Sequence, residues 1–467
     1  MTTALRDRSL NQHFFGEGPK RILALDGGGV RGILTCGVLE QMEKQLAARL
    51  PENERDDFRL CHYFDLIAGT STGAIMSTLL AMGYRVSEIK QLYRKLAKQV
   101  FGKKRRGIVG FVPIFDSKNL TRVINETFED FQRTHGGDPS QRVPLGTDYL
   151  KTGLLICSKR IDKGSPWVLT NNPHSKYWEW NSPVWQGYYA ENGGPGAQYI
   201  SNKFYNLQEV VQASASAPFY LSPVEKQISE DETGLFFDGG VSPHNNPSMQ
   251  GFLVATAKWR KNAKPWKGWS GMPRSPWGFG WETGADKIMM VSLGTGAFRP
   301  TFTVEDFRGR MAGMKALDAL RGMIPDTSTN GLTWLQAISD PPFPVKINSE
   351  IDDMLDMGIS QDPLLHFQRI DVDLDEKSLR ALLGDDIFEG DGFLKDYPQE
   401  GPEGLIKDLR ELANSADTNM MRLETIGDAL GAYWFGEGSN GQQPSPTGME
   451  TDKAPVDLIF PEAFDKA

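Results

Sequence analysis

With 467 residues, the chain has room for two or three domains, and its 39% hydrophobic and 24% charged content excludes both a disordered polyelectrolyte and a fibre. A formal net charge of −9 argues against a nucleic-acid partner, because such proteins carry a basic excess on the binding face. Cys36, Cys61 and Cys157 are an odd number with no C-x-x-C spacing, which points away from a disulfide framework or a cysteine zinc site and toward a reducing compartment.

The stretch before Arg21 lacks the apolar centre of a secretory signal, so a cytoplasmic location is expected. A short apolar run from Arg21 then meets Asp26 and the glycines to Gly32, after which apolar residues recur at helical spacing. This predicts a strand, a glycine turn and a helix. The same plan repeats around Gly69 to Gly73. Here 19 uncharged residues separate Asp65 from Arg85, but Thr70, Ser71, Thr72, Ser77, Thr78 and two glycines favour a buried strand, a sharp turn and a helix over a membrane span. Two such units in succession predict a mostly parallel sheet covered on both faces. Further strands are expected at Thr152 to Arg160, Leu235 to Gly240 and Lys287 to Gly296. The pattern changes after about Phe298. Residues 1–20 read as an extension, 21–298 as the main domain and 299–467 as a mainly helical or irregular extension with a loosely ordered last thirty residues.

In open α/β sheets, chemistry gathers beyond the carboxyl ends of the strands. The first turn, Gly27 to Gly32, satisfies G-x-G-x-x-G, the pattern of a dinucleotide oxidoreductase. That reading also wants an acid at the tip of the second strand, where this chain has Ala68-Gly69-Thr70-Ser71. The rival reading is an oxyanion hole made by backbone N–H groups of glycines that open a helix.

The second turn, Gly69-Thr70-Ser71-Thr72-Gly73, matches the nucleophile elbow G-x-S-x-G at a strand-to-helix junction. Small flanking residues suit it because the turn crowds the serine backbone. A serine nucleophile needs a base. Of the six histidines only His244 has a plausible setting, since His62 precedes the second strand and His366 lies far along the chain. The other option is a carboxylate: Asp238 ends an apolar run before Gly239 and Gly240, and desolvation there raises its affinity for a proton.

Asp26 to Gly32, Gly69 to Gly73 and Asp238 to Gly240, in this order, resemble the patatin-like phospholipase family. Ala213 to Tyr220, Asn245-Asn246-Pro247 and Ser292 to Gly296 add to the match. The resemblance covers about Arg21 to Gly296. It implies a three-layer α/β sandwich with a central mostly parallel sheet, and a lipid acyl hydrolase of phospholipase A type. Ser71 would be the nucleophile, Asp238 the base, and the N–H groups of Gly27, Gly28 and Gly29 the oxyanion hole. Arg31, Gly32, Gly69, Gly73, Gly239 and Gly240 support these motifs. No cofactor or metal enters the scheme, and Asp371-x-Asp373-x-Asp375 fails a calcium-loop pattern and reads as a solvated strand edge. A catalytically silent storage or interaction protein on the same fold is the alternative from outside enzymology.

Membrane phospholipids are the expected partner, met peripherally and not spanned. Lys103 to Arg106 followed by Ile108 to Phe115 joins cations to apolar side chains, and Trp259 to Trp281 holds Trp259, Trp266, Trp269, Trp277 and Trp281 among lysines and arginines. The resemblance also extends to nucleotide-triggered bacterial effectors, so a small-molecule activator is a further expectation.

Overall fold

The computed structural model describes residues 8–105, 113–179, 183–192, 199–261, 277–299, 303–354, 357–436 and 455–465. Among them are nine strands: β1 (Lys20–Leu25), β2 (Leu66–Thr70), β3 (Gly153–Arg160), β4 (Ser165–Thr170), β5 (Val224–Gln227), β6 (Thr233–Asp238), β7 (Ile288–Leu293), β8 (Ser339–Asp340) and β9 (Leu365–Ile370). They form one sheet in the order β5-β6-β3-β2-β1-β7-β9-β8, with β4 paired to β3. The run from β3 to β8 is parallel, whereas β4, β5 and β6 pair antiparallel.

Alternation along each strand splits the core in two. Leu23 and Leu25 of β1, Ile67 of β2 and Met289, Val291 and Leu293 of β7 face the larger cluster. That face is covered by helices Gly32–Ala48, Thr72–Ala81, Val86–Phe101, Ser117–Thr134, Leu207–Ser214 and Asp417–Phe435. Ile22, Ala24, Leu66, Ala68, Ile288 and Met290 point the other way, against Phe252, Val254 and Ala255 of helix Ser248–Thr256 and Leu335 of helix Ala312–Ala337. The result is the three-layer α/β sandwich, and the strands buried on both faces read as the continuous apolar runs seen in the sequence.

The segment after Phe298 is mostly helical, yet it also contributes β8 and β9 to the sheet. Helix Asp417–Phe435 lies across helix Gly32–Ala48 so closely that a Cβ on Gly37 would stand 2.5 Å from the Gly427 carbonyl carbon. Phe460 and Phe464, within the stretch expected to be loose, are fully buried. Residues 437–454 lie outside the described residues. Among the described residues no helix is long and apolar enough to cross a membrane, and no group of three or more His, Cys, Asp and Glu side chains is placed to hold a metal ion. Cys36, Cys61 and Cys157 are buried and unbridged.

Candidate active site

Three strand tips converge on the site: β1 ends into Asp26 and the glycine loop, β2 into Ser71, and β7 into Gly294-Thr295-Gly296. Asp238 arrives from the opposite direction. β3 continues past the level of the β2 tip, and β6 runs antiparallel along that overhang with Asp238 opposite Ser158, which brings the carboxylate back toward the end of β2.

The elbow at Ser71 is sterically extreme. Ser71 has φ 56° and ψ −123°, a region that costs a non-glycine residue about 1–3 kcal/mol and is kept only where the surroundings over-determine it. The two flanking glycines are required by close approach. A Cβ on Gly69 would lie 2.2 Å from the Gly73 carbonyl oxygen, and one on Gly73 would lie 2.2 Å from the Leu25 carbonyl oxygen. The Ser71 N–H donates to Ser214 Oγ at 2.9 Å, and that hydroxyl donates in turn to the Cys157 carbonyl at 2.6 Å. Ser214, part of the Ala213 to Tyr220 match, therefore ties the elbow to β3. No local pattern marks Ser214 for that role.

Ser71 Oγ donates to Asp238 Oδ2 at 2.6 Å, and the Gly240 N–H donates to Oδ1 at 2.6 Å. Gly239 passes directly under β3, where a Cβ would meet the Cys157 carbonyl oxygen at 2.3 Å. Asp238 is 4% exposed and, among the described residues, has no cation beside it. Burial pushes its carboxyl up to about 7, with the Ser71 hydroxyl and the Gly240 amide pulling the other way. His244, the rival base, turns its Nε2 to Gln250 at 3.2 Å, while its carbonyl accepts from Thr70 Oγ1. His62 caps its own short helix at the Arg59 N–H, and His366 lies on β9 with Nε2 against the Leu458 carbonyl. Among the described histidines none reaches Ser71.

The glycine loop differs in detail from three equivalent donors. The Gly27 N–H donates to the Asn245 carbonyl at 3.1 Å, the Gly28 N–H to Thr72 Oγ1 at 3.1 Å, and the Val30 N–H to the Leu412 carbonyl at 2.8 Å. Only the Gly29 N–H meets no acceptor among the described residues. Gly29 has φ 57°, and a Cβ there would lie 2.3 Å from the Leu412 oxygen. Gly32 leaves room for Tyr93, whose hydroxyl donates to the Gly29 carbonyl. Arg31 is buried, donates Nη1 to the Gly296 carbonyl at 2.9 Å, and stacks on Phe298; burial lowers its guanidinium to about 10. A dinucleotide would find the amides of Gly27, Gly28 and Val30 already engaged, and Ser71 at the tip of β2.

Ser71, Asp238 and Gly27 to Gly29 open onto one cleft. Its lining includes the apolar Ile75, Leu96, Val100, Phe101, Leu120 and Leu221, and most of its charged residues come from the chain after Phe298. The Asp371 triplet is part of that lining. Asp371 is not on a solvated edge: its side chain is 14% exposed and paired with the buried Arg369. The membrane segments also resolve differently from the sequence reading. Phe115 is fully buried against Phe101 and Tyr220, and Trp281 is a core residue whose Nε1 donates to the Phe14 carbonyl. Lys103 to Arg105 are exposed, as are Trp259 and Trp277 in part. Residues 106–112 and 262–276, with Trp266 and Trp269, lie outside the described residues.

The profile of the patatin-like phospholipase family matches residues 23–250, which hold the end of β1, β2 through β6, both glycine turns and Asp238. The chain carries a patatin-like phospholipase domain. It is 28% identical over 238 residues to a "cGAMP-activated phospholipase" of Escherichia coli, covering 50% of this chain and 55% of that one. A "cUMP-AMP-activated phospholipase" of Escherichia coli is 28% identical over 56% of this chain and 68% of its own. "Patatin-like protein 1" of Oryza sativa subsp. indica is 27% identical over 59% of this chain and 58% of its own. The chain thus spans between about half and two thirds of the length of these curated relatives. In the patatin-like domain all three sequence motifs meet within one site.

Proposed function

We propose that the protein is a serine lipid acyl hydrolase that cleaves carboxylic esters of membrane glycerophospholipids through a Ser71–Asp238 dyad. The observation that carries this reading is the 2.6 Å hydrogen bond from Ser71 Oγ to a buried carboxylate that has no cation beside it among the described residues. A carboxylate so placed takes a proton near neutrality, which a general base must do. Ser71 Oγ bonds to the ester carbonyl carbon as its proton passes to Asp238 Oδ2. The carbonyl oxygen gains the negative charge, and the Gly29 N–H, with Gly28 beside it, is the donor that faces it. Collapse expels the glycerol oxygen, which takes the proton from Asp238. A water then attacks the acyl-serine as Asp238 accepts its proton; collapse releases the fatty acid, and the departing Ser71 Oγ takes that proton back from Asp238.

A lipid substrate is supported by the wall next to Ser71, where Ile75, Leu96, Val100, Phe101 and Leu221 offer an apolar surface to an acyl chain. Phospholipid esters lie just below the headgroups, so the protein works at the membrane face without spanning it. Activation by a small molecule enters the proposal from the names of the two bacterial relatives.

Mass spectrometry of lipids after incubation with mixed phospholipid liposomes tests the reading, run alone and with cGAMP or cUMP-AMP added. Release of free fatty acid by the wild type and not by Ser71→Ala is the expected result. A folded wild type that releases no fatty acid in any arm overturns it and leaves the non-catalytic alternative.

A further inference from the structure

Arg369 stands on β9, outside the residues that match the family profile, and grips the carboxylate at the root of the glycine loop. Its Nη1 donates to Asp26 Oδ1 at 3.0 Å and its Nη2 to Asp26 Oδ2 at 2.7 Å, a bidentate pair in which both residues are 5% exposed. The same guanidinium donates to Ser292 Oγ on β7 at 2.9 Å and to Asp371 Oδ2 at 2.7 Å. Asp371 Oδ1 accepts the N–H of Gly296 at 2.9 Å. One residue earlier, Thr295 donates its hydroxyl to the Gly27 carbonyl at 3.2 Å, and its side chain fills the space a Cβ on Gly28 would need. A single planar cation thus joins the tips of β1, β7 and β9, and it reaches the glycine loop by two routes. One runs through Asp26; the other runs through Asp371, Gly296 and Thr295.

We propose that Arg369 is a positioning residue for ester hydrolysis, fixing the glycine loop through Asp26 and Asp371 so that the Gly29 amide stands ready where charge develops on the ester oxygen. The inference rests on the dyad reading above. Its physical basis is that an oxyanion donor lowers the barrier only if it is held in place before the charge appears. Arginine suits the role because its rigid fork matches a carboxylate at two points, which a lysine ammonium does not. Removing it leaves Asp26 buried without its bidentate partner, and such a group either takes a proton or pulls its surroundings toward water. The proposal also makes the chain beyond Phe298 a working part of the patatin-like site.

The test uses full-length protein and hydrolysis of a short-chain ester. Arg369→Met is expected to lower kcat about 100-fold with KM changed less than about threefold, the scale of losing one oxyanion donor. Asp26→Asn combined with Arg369→Met is expected to recover about tenfold over Arg369→Met alone, because the more buried of the two carboxylates that lose their partner is then neutral. Arg369→Lys should fall between wild type and Arg369→Met. Arg422→Met serves as the control: that arginine is buried and paired with Asp396, in the C-terminal helices, and kcat per folded molecule should be unchanged. Hydrogen exchange of the peptide covering Gly27 to Val30 supplies a readout that needs no turnover, with faster exchange expected in Arg369→Met and, if that variant does not fold, in Arg369→Lys. Wild-type exchange in that peptide overturns the proposal. So does a kcat within threefold of wild type for folded Arg369→Met, or an equal loss in Arg422→Met. A wild type that hydrolyses no ester removes the functional reading instead, and the exchange measurement still decides whether Arg369 holds the loop.

Discussion

Asp65 and Asp238 are both buried at strand ends, 0% and 4% exposed, and their surroundings push them in opposite directions. Asp65 lies between the guanidinium groups of Arg8 and Arg21, with His13 Nδ1 at 3.1 Å, and accepts the Arg21 N–H at 2.8 Å; burial raises its carboxyl, but the two arginines hold it well below the usual carboxylate range. Asp238 has a hydroxyl and an amide for company and rises to about 7. Equal burial therefore makes one carboxylate a permanent anion that pins the N-terminal segment to β2, and the other a group that exchanges a proton near neutrality. The nearby cation decides which.

The largest effect that can break this comparison is loss of the nucleophile: Ser71→Ala should lower kcat by about 10⁴-fold with the melting temperature little changed, read by fatty-acid release and calorimetry. Asp238→Asn comes next. The amide keeps the shape and accepts the serine hydrogen bond but does not take its proton, so a loss of about 10³-fold in kcat is expected. Asp65→Asn should act on stability, costing about 3–5 kcal/mol in denaturant unfolding because Arg8 and Arg21 stay buried without their counter-charge, while kcat per folded molecule is retained. Ser214→Ala, which removes the acceptor of the Ser71 N–H, is expected to lower kcat about tenfold through a looser elbow.

The pH dependence sharpens the comparison further. Activity needs Asp238 as carboxylate, so kcat should rise with pH up to about 7 and then level. Stability runs the other way at this residue: with its folded value raised, its contribution is complete below the unfolded carboxylate range and is lost as pH rises through about 7. Asp65, with its folded value lowered, contributes above the unfolded carboxylate range and loses that contribution as pH falls.

Ser71 and Asp238 were legible in the sequence because their constraints are local. Gly69 and Gly73 are dictated by backbone approach within one turn, and the run before Asp238 announces a buried strand tip. The pairing of the two came from the family resemblance, since 167 residues separate them and no periodicity links such distant positions. The narrowing of the glycine loop to the Gly29 amide was not legible. It depends on Asn245, Thr72 and Leu412, tertiary neighbours that leave no local mark. β9 carries only a weak signal, Leu364, Leu365, Phe367 and Ile370 interrupted by His366, Gln368 and Arg369, and without that strand Asp371 reads as a solvated edge and Arg369 has no role. Phe115 and Trp281 pack inward for a reason the sequence does not display: aromatic residues in loops look alike whether they pack inward or face a membrane.

The most direct test of the Ser71–Asp238 dyad is the rate at which a fluorophosphonate labels the protein across about pH 5 to 9, followed by intact mass and peptide mapping. The account predicts a single adduct on Ser71, formed about tenfold faster per pH unit until a plateau near 7, and a far slower, pH-flat rate in Asp238→Asn. Labelling of Asp238→Asn at the wild-type rate, or an adduct on another residue, would contradict it.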